Sequence, residues 1–359
     1  MSTPSKQISI ESKLIGLNHP TYFIADLAAN HDGDLERAKD LIYLAKESGA
    51  DVAKFQHFHA SSLVSDQAFR AMGSRQSHQA AWKKSVYETY LDASMNPDWT
   101  PILKETCDRA GITFFTSPYS EHHVNEVDPF VPAYKIGSGD ITWPEMIRFI
   151  CRKNKPVLLA CGASTQSEVD IAVATALEMT PDVVLMQCNT NYTASLENFK
   201  YINLRVLNTF SRLYPGMILG LSDHTPGCTT VLGAVTLGAR VIEKHFTDDN
   251  GRDGPDHKFA MNPRSWREMV DRTRELEYAL GDGVKVIEEN EMDTVIVQRR
   301  GVYVKTEMCA GSTLKAEDLS CLRPCPRDAV PPYELSMLIG KTLIKDVTPA
   351  NAIRWTDVG

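Results

Sequence analysis

Two histidines lie 21 residues apart, and each comes at the end of a short apolar run. His224 closes the segment 217–224, His245 closes 240–245, and a Gly- and Ala-rich segment of helix length, 227–238, lies between them. If the two runs are neighbouring parallel strands of a barrel, both imidazoles lie at the carboxyl-end mouth, where the active sites of such barrels are built. Imidazole is a common metal ligand, so the pair predicts a metal site. The alternative is two strand-end histidines with ordinary hydrogen bonds.

Two lysines and several acids also lie at the ends of apolar, strand-like runs. Lys54 and Lys135 would be costly to bury unless each meets an anion. Together at one mouth they predict a carboxylate or phosphate ligand, or a Schiff-base lysine, and a structural Lys–Asp pair is the alternative. Asp26 is either a functional acid or a buried ion partner. Asp223 and Glu243 stand beside the histidines and favour a functional site there.

Small polar residues follow further strand-like runs. The segment 187–193 contains Thr190 and Tyr192, while Ser138 and Ser222 each follow an apolar run. Hydroxyl and backbone N–H groups near the seventh strand of a barrel often bind phosphate. Together with the lysines they predict a site for a dianion. Together with the histidines they indicate a phosphoryl-bearing substrate and an electrophile polarised by a metal.

Strand-like and helix-length segments alternate along most of the chain. Several strand candidates carry no charge, as expected of strands that are buried on both faces. Eight βα units predict a closed parallel (β/α)8 barrel, the TIM-barrel architecture. The insert 57–96 is too long for a simple crossover and is expected to form a loop or an added helix over the mouth. The predicted strands are 22–28, 51–56, 112–116, 133–136, 156–160, 183–188, 217–221 and 240–245, and the predicted helices are 34–48, 97–110, 121–127, 142–152, 165–178, 203–213, 227–237 and 263–280.

The last part of the chain has a different texture. The predicted domains are a barrel over 1–282, a charged linker over 283–294 and a small β-rich domain over 295–359. Two segments of the last domain, 310–319 and 349–358, share a pattern: a turn, an apolar–basic pair, then an acid before an aliphatic residue. Such an echo is typical of a small β domain with a pseudo-twofold axis. A domain of this size is expected to dock on a larger surface.

Composition excludes other classes of protein. The formal charge is −8 and no basic run stands out, which argues against a nucleic-acid partner. The longest apolar runs are too short to span a membrane. The first residues lack the apolar segment of a signal peptide, and the eight scattered cysteines are expected to be reduced, so a cytoplasmic location is expected.

Taken together, the strand-end motifs resemble those of the sialic acid synthases, in order and over nearly the whole chain. The carboxyl-terminal motifs resemble the antifreeze-protein-like (SAF) domain that these enzymes append to a TIM barrel. Asp26 differs from the family, which usually has Glu at that position. The motifs are Asn30-His31-Asp32-Gly33, Ala53-Lys54-Phe55-Gln56, Ala133-Tyr134-Lys135-Ile136-Gly137-Ser138-Gly139-Asp140, Gly220-Leu221-Ser222-Asp223-His224-Thr225, Glu243-Lys244-His245-Phe246, Arg252-Asp253-Gly254-Pro255-Asp256, Leu322-Arg323-Pro324 and Leu338-Ile339-Gly340-Lys341.

The resemblance implies a set of roles for individual residues. His224 and His245 would bind a divalent metal, Mn²⁺ in the first place and otherwise Mg²⁺ or Co²⁺, and with Asp26 and Lys54 they would form the catalytic set. Arg323 would reach the sugar from the partner subunit of a domain-exchanged homodimer. The residues implied for phosphoenolpyruvate are Lys54, Thr116, Lys135, Ser138, Thr190, Tyr192 and Ser222, and those implied for the sugar are Gln56, Asp140, Asp256 and Arg323.

The implied reaction condenses phosphoenolpyruvate with an N-acylated hexosamine such as N-acetylmannosamine. Its products are a nine-carbon 2-keto acid and phosphate. A diacylated 6-deoxyhexose, leading to legionaminic or pseudaminic acid, is the alternative acceptor. Two other functions stay open at this point: a Schiff-base aldolase, which would use Lys54 or Lys135 and neither histidine, and a non-enzymatic module that binds a sugar or a phosphate.

Overall fold

The computed structural model describes residues 2–72, 79, 82–192 and 194–359. Residues 73–78, 80 and 81 of the predicted insert, and Thr193 of the polar segment 187–193, lie outside the described residues. The chain divides into two compact units, the first ending at Gly281 and the second beginning at Asp282. Among the described residues, no helix is both long enough and apolar enough to cross a membrane.

The first unit is built on one eight-stranded parallel sheet in the order β5-β4-β3-β10-β9-β8-β7-β6. The two ends of this order, β5 and β6, also contact each other, so the sheet curls into a nearly closed barrel. The TIM-barrel prediction is confirmed. The eight strands are β3 (Tyr22–Asp26), β4 (Val52–His57), β5 (Thr113–Pro118), β6 (Tyr134–Ile136), β7 (Val157–Ala160), β8 (Val183–Cys188), β9 (Ile218–Asp223) and β10 (Ala239–His245).

An antiparallel hairpin precedes the barrel and consists of β1 (Gln7–Ile10) and β2 (Lys13–Gly16). Its buried residues Ile8, Ile10 and Ile15 pack in one apolar cluster with residues from the barrel interior. Because these interior residues include Tyr22, the first residue of β3, the hairpin closes the amino-terminal end of the barrel and leaves the carboxyl end as the mouth.

Helices cover the outer face of the strands, and local signals start several of them. Asp34 caps α1 through its carboxylate, Thr165 forms a capping box with Glu168, and Asn262 precedes a helix that begins with proline. The helices of the first unit are α1 (Leu35–Glu47), α2 (Ala60–Leu63), α3 (Asp66–Met72), α4 (Val86–Ala93), α5 (Trp99–Ala110), α6 (Glu121–Val127), α7 (Pro144–Cys151), α8 (Gln166–Leu177), α9 (Val206–Leu213), α10 (Thr229–Thr236) and α11 (Pro263–Leu280).

The insert between β4 and α5 contains added helices, as the sequence predicts. Its described residues form α2, α3 and α4, and α4 begins with a capping box between Ser85 and Glu88. Trp82, Lys83 and Lys84 from this insert line a cavity at the barrel mouth. The insert therefore contributes side chains to the edge of the mouth.

The second unit has short strands, turns and its own apolar core. It contains α12 (Met292–Gln298), β11 (Gly301–Val304), β12 (Leu319–Leu322) and α13 (Leu335–Leu338). The echoed segments form matching turns, because Lys315 and Arg354 each donate a backbone N–H to an aspartate three residues later, Asp318 or Asp357. A short 3₁₀ helix lies within each turn.

Candidate active site

On each barrel strand, the side chains that point inward form the apolar interior near the start of the strand and line the mouth near its end. Successive residues of a strand point to opposite faces, so positions two apart share a face. Ile24, Val52, Ala133 and Val241 belong to the interior cluster. The side chains two residues further toward the mouth therefore also point inward, and they are Asp26, Lys54, Lys135 and Glu243.

The parallel register sets some of these side chains side by side. His245 of β10 pairs with Asp26 of β3, which pairs in turn with Lys54 of β4. One layer below, Glu243 of β10 pairs with Ser222 of β9. Such layers, contributed by neighbouring strands, are how a barrel of this type fills its interior.

Lys54, Lys135, Asp26 and Glu243 form a buried ion cluster, and each is at most 4% exposed. The Nζ atom of Lys54 lies 2.7 Å from Asp26 Oδ2 and 4.0 Å from Glu243 Oε1. The Nζ atom of Lys135 lies 3.3 Å from the same Glu243 oxygen, which also accepts a hydrogen bond of 3.2 Å from the Ser222 hydroxyl. Two ammonium groups thus face two carboxyl groups in the wall of the mouth.

Burial and pairing act against each other in this cluster. For Glu243, burial alone would raise the pKa, but Lys135 and Lys54 outweigh it and the pKa lies below its usual value. For Lys54, burial alone would lower the pKa, but Asp26 and Glu243 raise it above its usual value. For Asp26, burial dominates and the pKa is raised. The Oε2 atom of Glu243 has no hydrogen-bond partner among the described residues, so the cluster contains an unsatisfied oxygen.

The two histidines lie next to this cluster, and their ring centroids are 5.4 Å apart. Tyr192 packs against His224 at 4.2 Å between centroids, and Phe259 packs against His245 at 4.9 Å. Burial lowers the pKa of each imidazole to about 4, assisted for His224 by the neighbouring His245. Both rings are therefore neutral near pH 7, which is the form that binds a metal.

Hydrogen bonding decides which ring nitrogens carry a lone pair. The Nδ1 atom of His224 lies 2.8 Å from the backbone oxygen of Asn189, so it carries the proton and leaves Nε2 as the donor atom toward a metal. The Nδ1 atom of His245 is buried without a hydrogen-bond partner in the described part of the chain, and the Asp256 carboxylate lies 3.9 Å from it.

These donors fit a divalent metal that would complete its shell with substrate and water oxygens. Among the residues that the structure describes, no three His, Cys, Asp or Glu side chains are grouped to hold a metal by themselves.

Small side chains surround Gly162 on the opposite wall of the mouth. The backbone N–H of Gly162 donates to the Ser138 hydroxyl at 2.9 Å. A Cβ atom at this position would come within 2.6 Å of the Thr190 methyl and 3.1 Å of the Cys188 thiol, so only glycine fits without displacement. Burial raises the pKa of Cys188, partly offset by hydrogen bonds with the Ser138 and Ser222 hydroxyls. Of the predicted hydroxyl donors, Ser138, Thr190 and Ser222 thus lie close together here.

Further acids and aromatic rings line the outer part of the mouth. Asp140 lies in the 3₁₀ helix Ser138–Asp140, and burial raises its pKa to about 6 although Lys135 opposes the rise. A separate stretch of the mouth opens into a cavity of about 1130 Å³, and Tyr192 and Phe259 are among the residues that line it. This volume is ample for a six-carbon sugar with acyl groups.

Residues 41–285 of the chain match the NeuB family, and residues 299–359 match the SAF domain. This chain belongs to the NeuB family. It is 31% identical to the N,N'-diacetyllegionaminic acid synthase of Legionella pneumophila, covering 96% of this chain and 96% of that protein. It is 32% identical to a pseudaminic acid synthase of Campylobacter jejuni, covering 94% of this chain and 96% of that protein.

Solved structures agree with the family. The N-acetylneuraminic acid (sialic acid) synthetase of Leptospira borgpetersenii, solved in complex with citrate, superposes with a TM-score of 0.70 at 26% identity, covering 82% of this chain and 97% of that one. Because the relatives of this NeuB-family chain are synthases, the chain is an enzyme of synthase type, and the expected resemblance to sialic acid synthases with an SAF domain is confirmed.

One predicted residue of the NeuB-family site is not brought to the mouth. The hydroxyl of Thr116 is 2.6 Å from His57 Nδ1, and the other ring nitrogen of His57 is 2.8 Å from the Thr100 hydroxyl in α5. Thr116 therefore points outward, toward the helix layer. Phe115 belongs to the interior cluster, so its alternate, Ser117, is the inward-facing hydroxyl of β5.

Asp223 is likewise not part of the mouth. It is buried between β9 and α10, where its carboxylate pairs with Lys244 and accepts hydrogen bonds from the hydroxyls of Thr225 and Thr230. Burial alone would raise the pKa of Asp223, but Lys244 and the hydroxyls lower it. The pair joins β9 to β10, the Thr230 hydroxyl joins it to α10, and the pair plays a structural part.

The remaining predicted residues divide between the two units. Gln56 shares the inward face of β4 with Lys54 and is half-buried. Arg323 follows β12 of the second unit, and its side chain is exposed. Its role across a subunit interface stays a prediction.

Three residues at the mouth, Glu243, Ser117 and Phe259, lie outside the predicted site. Glu243 contacts both lysines. From the sequence it is only an acid near His245, but its position two residues before His245 on the same strand predicts that both side chains point to the same face. The sequence does not predict Ser117 or Phe259 as site residues. Phe259 lies in the loop after β10, and the local sequence does not predict that its ring packs against His245.

Proposed function

We propose that this enzyme condenses phosphoenolpyruvate with the open-chain form of an N-acylated hexosamine. The products are a nine-carbon 2-keto acid and phosphate. One observation carries the proposal: two buried lysines face the mouth beside two neutral imidazoles. The lysines suit a dianion and the imidazoles suit a metal, so the pair of sites matches a phosphorylated enol and an aldehyde.

Lys54 and Lys135 are proposed to hold the carboxylate and phosphate of phosphoenolpyruvate through charge-assisted hydrogen bonds. Both ammonium groups are already partly neutralised by Asp26 and Glu243, so the ligand enters a site whose charges are in place before it binds. Further donors would come from neighbouring hydroxyls at the mouth, namely those of Ser138, Thr190, Tyr192 and Ser222.

The two histidines are proposed to hold Mn²⁺, with Mg²⁺ or Co²⁺ as other candidates. When bound, the ion would draw electron density from the oxygen of the acceptor aldehyde. His224 is held in one tautomer by the Asn189 carbonyl, and the rings of Tyr192 and Phe259 pack against the two imidazoles. These contacts orient the histidines before a substrate arrives.

The bond-forming step joins carbon 3 of phosphoenolpyruvate to the aldehyde carbon, whose oxygen takes up a proton and becomes a hydroxyl. Water then adds to carbon 2, and one of its protons passes to a carboxylate. The bond from carbon 2 to the phosphate oxygen breaks, the remaining hydroxyl proton passes to the departing phosphate, and carbon 2 becomes the keto carbon. Asp26 is the candidate for that carboxylate, because burial raises its pKa toward the range useful for proton transfer. Its side chain is one methylene shorter than the usual family glutamate, so a water could bridge the gap.

The acceptor is proposed to lie along Gln56, Asp140 and Asp256, with Arg323 supplied by the partner subunit of an exchanged homodimer. N-acetylmannosamine is the first candidate. A diacylated 6-deoxyhexose is the second, because relatives at 31% and 32% identity are named for legionaminic and pseudaminic acid. The apolar side of the cavity suits acyl methyl groups in either case.

The geometry disfavours a Schiff-base aldolase. A Schiff base forms from a neutral amine, whereas Asp26 and Glu243 raise the pKa of Lys54 and hold it protonated. Lys135 is similarly paired with Glu243. Borohydride reduction in the presence of pyruvate should therefore leave the mass of the protein unchanged, and a trapped adduct on either lysine would favour the aldolase.

Phosphate release tests the proposal directly. The protein is incubated with phosphoenolpyruvate, Mn²⁺ and one sugar at a time: N-acetylmannosamine, and diacetamido-6-deoxyhexoses of two configurations. We expect release of phosphate with one sugar class and a matching 2-keto acid by mass spectrometry. The control variant Lys104→Met removes an ammonium group from α5 that pairs with Asp108 at 2.5 Å, and should keep full activity. No release with any sugar would contradict the proposal.

A further inference from the structure

A buried histidine in the loop after β10 is not used by the proposed chemistry. His257 is fully buried, although it immediately follows Asp256, a residue proposed to contact the acceptor sugar. Buried imidazoles are retained where both ring nitrogens find partners.

Both ring nitrogens of His257 are engaged, and they connect two loops of the mouth. The Nε2 atom lies 3.0 and 3.3 Å from the two carboxylate oxygens of Asp32, in the loop between β3 and α1. The Nδ1 atom lies 2.7 Å from the hydroxyl of Thr247, just after β10. Asp32 also pairs with Arg37 of α1. The imidazole thus links the loop after β10 to the start of the barrel.

The backbone around His257 is fixed as well. Asn250 donates from its side-chain amide to the carbonyl oxygens of His257 and Ala260, at 2.8 and 2.7 Å. A Cβ atom on Gly254 would approach the His257 ring to 2.5 Å, so the loop folds tightly over the ring. These contacts leave the loop 248–261 little freedom around the imidazole.

The contacts of His257 determine where the neighbouring residue Asp256 lies. While the His257 ring is buried toward Asp32, the carboxylate of Asp256 lies 3.9 Å from His245 Nδ1 and 3.5 Å from the backbone N–H of Ala29. Among the described residues, the Asp256 carboxylate has no hydrogen bond as short as the three that hold the His257 ring. Its place in the mouth therefore depends on the loop that His257 fastens.

We propose that His257 is a positioning residue, which fixes Asp256 for the acceptor sugar by tying the loop 248–261 to Asp32 and Thr247. The inference rests on the proposed function, because it assumes that Asp256 contacts the acceptor. It makes a directional claim: loss of the imidazole harms the acceptor side of the site and leaves the phosphoenolpyruvate side, which is built on Lys54 and Lys135, unaffected.

Steady-state kinetics of matched variants test the proposal. His257→Leu removes both hydrogen bonds, whereas His257→Gln keeps an amide that can donate to Asp32. We expect His257→Leu to raise the KM for the acceptor sugar about tenfold or more, with the KM for phosphoenolpyruvate within about twofold of wild type. His257→Gln should recover part of the loss. The control His19→Leu, beyond the hairpin at the other end of the barrel, should behave as wild type.

A double variant shows whether His257 acts through Asp256. If it does, adding His257→Leu to Asp256→Asn should raise the acceptor KM by less than twofold, because the function of the fastened loop is already lost. Full multiplication of the two single effects would overturn the proposal. Equal losses on both substrates, with no recovery in His257→Gln, would also overturn it, since they would indicate a general structural role.

The proposal can be separated from the proposed function. If wild-type protein releases no phosphate with any sugar, the proposed function fails first. If His257→Leu does not fold, Thr247→Val and Asp32→Ala each remove one of its two bonds and should raise the acceptor KM in the same direction. Unchanged acceptor KM in both of these variants, in folded protein, would overturn the proposal.

Discussion

Replacement of Lys135 by methionine removes one ammonium group from the buried ion cluster. That group lies 3.3 Å from Glu243, and both side chains are almost fully buried. Removing one partner of a buried ion pair typically costs about 3–5 kcal/mol, because the other charge stays behind uncompensated. We expect about 3 kcal/mol, near the low end of this range, because Lys54 at 4.0 Å and the Ser222 hydroxyl still contact Glu243.

Urea unfolding of four proteins measures this cost. They are the wild type, Lys135→Met, Glu243→Gln and the variant that carries both changes. The double variant removes both charges, so Glu243 no longer leaves a buried carboxylate without its lysine. It should therefore be about 1–2 kcal/mol more stable than Lys135→Met alone. If the two single effects simply add, the two side chains are not coupled and the geometry of the cluster is wrong.

Binding of phosphoenolpyruvate separates the ligand role of Lys135 from its structural role. A hydrogen bond to a charged group contributes about 1.5–3 kcal/mol, so the KM for phosphoenolpyruvate should rise roughly 10- to 100-fold in Lys135→Met. It should stay high in the double variant, although stability recovers. Recovery of both quantities together would refute the reasoning, because Lys135 would then be only the partner of Glu243. Lys104→Met serves as the control for the loss of a lysine.

Chelation of divalent metal, or His224→Ala, should abolish turnover while the far-ultraviolet circular dichroism is unchanged; full activity in excess chelator would exclude the metal. Ser117→Ala should raise the KM for phosphoenolpyruvate by roughly fivefold, whereas Thr116→Val should lower stability by about 1 kcal/mol with unchanged kinetics, and the reverse pattern would restore the original assignment. Mixed dimers of an Arg323→Ala chain and a His245→Ala chain, each inactive alone, should regain activity in one site. Verified mixed dimers without activity would place Arg323 outside the partner's site.

The barrel could be predicted because its strands are continuous apolar runs of regular spacing. All eight predicted strands are present. Short, uncharged apolar runs such as 183–188, which alternate with helix-length segments, are typical of strands that are buried on both faces. The ends are less accurate: β5 extends to Pro118, two residues past the predicted end. Strand ends depend on pairing with neighbours, which a single segment does not reveal.

The same property that makes the strands easy to find hides the direction of their side chains. Phe114 and Phe115 are both fully buried, one against the helices and the other inside the barrel. A strand that is apolar on both faces shows no alternation, so its sequence does not say which of Thr116 and Ser117 points inward. The wrong choice of Thr116 has this physical origin. Once one inward residue of the strand is known, the alternation assigns the rest.

Two buried Lys–carboxylate pairs of this barrel show how structure separates a ligand site from a structural pair. Lys244 and Asp223 lie on the outward face, and Asp223 is satisfied by Lys244, Thr225 and Thr230. On the inward face, Glu243 keeps one oxygen with no hydrogen-bond partner in the described part of the chain. Burying an unsatisfied polar atom costs about 1–3 kcal/mol, which a purely structural pair has no reason to bear. The proposed function assigns the inward pair to the ligand site, whereas the outward pair is complete without a ligand.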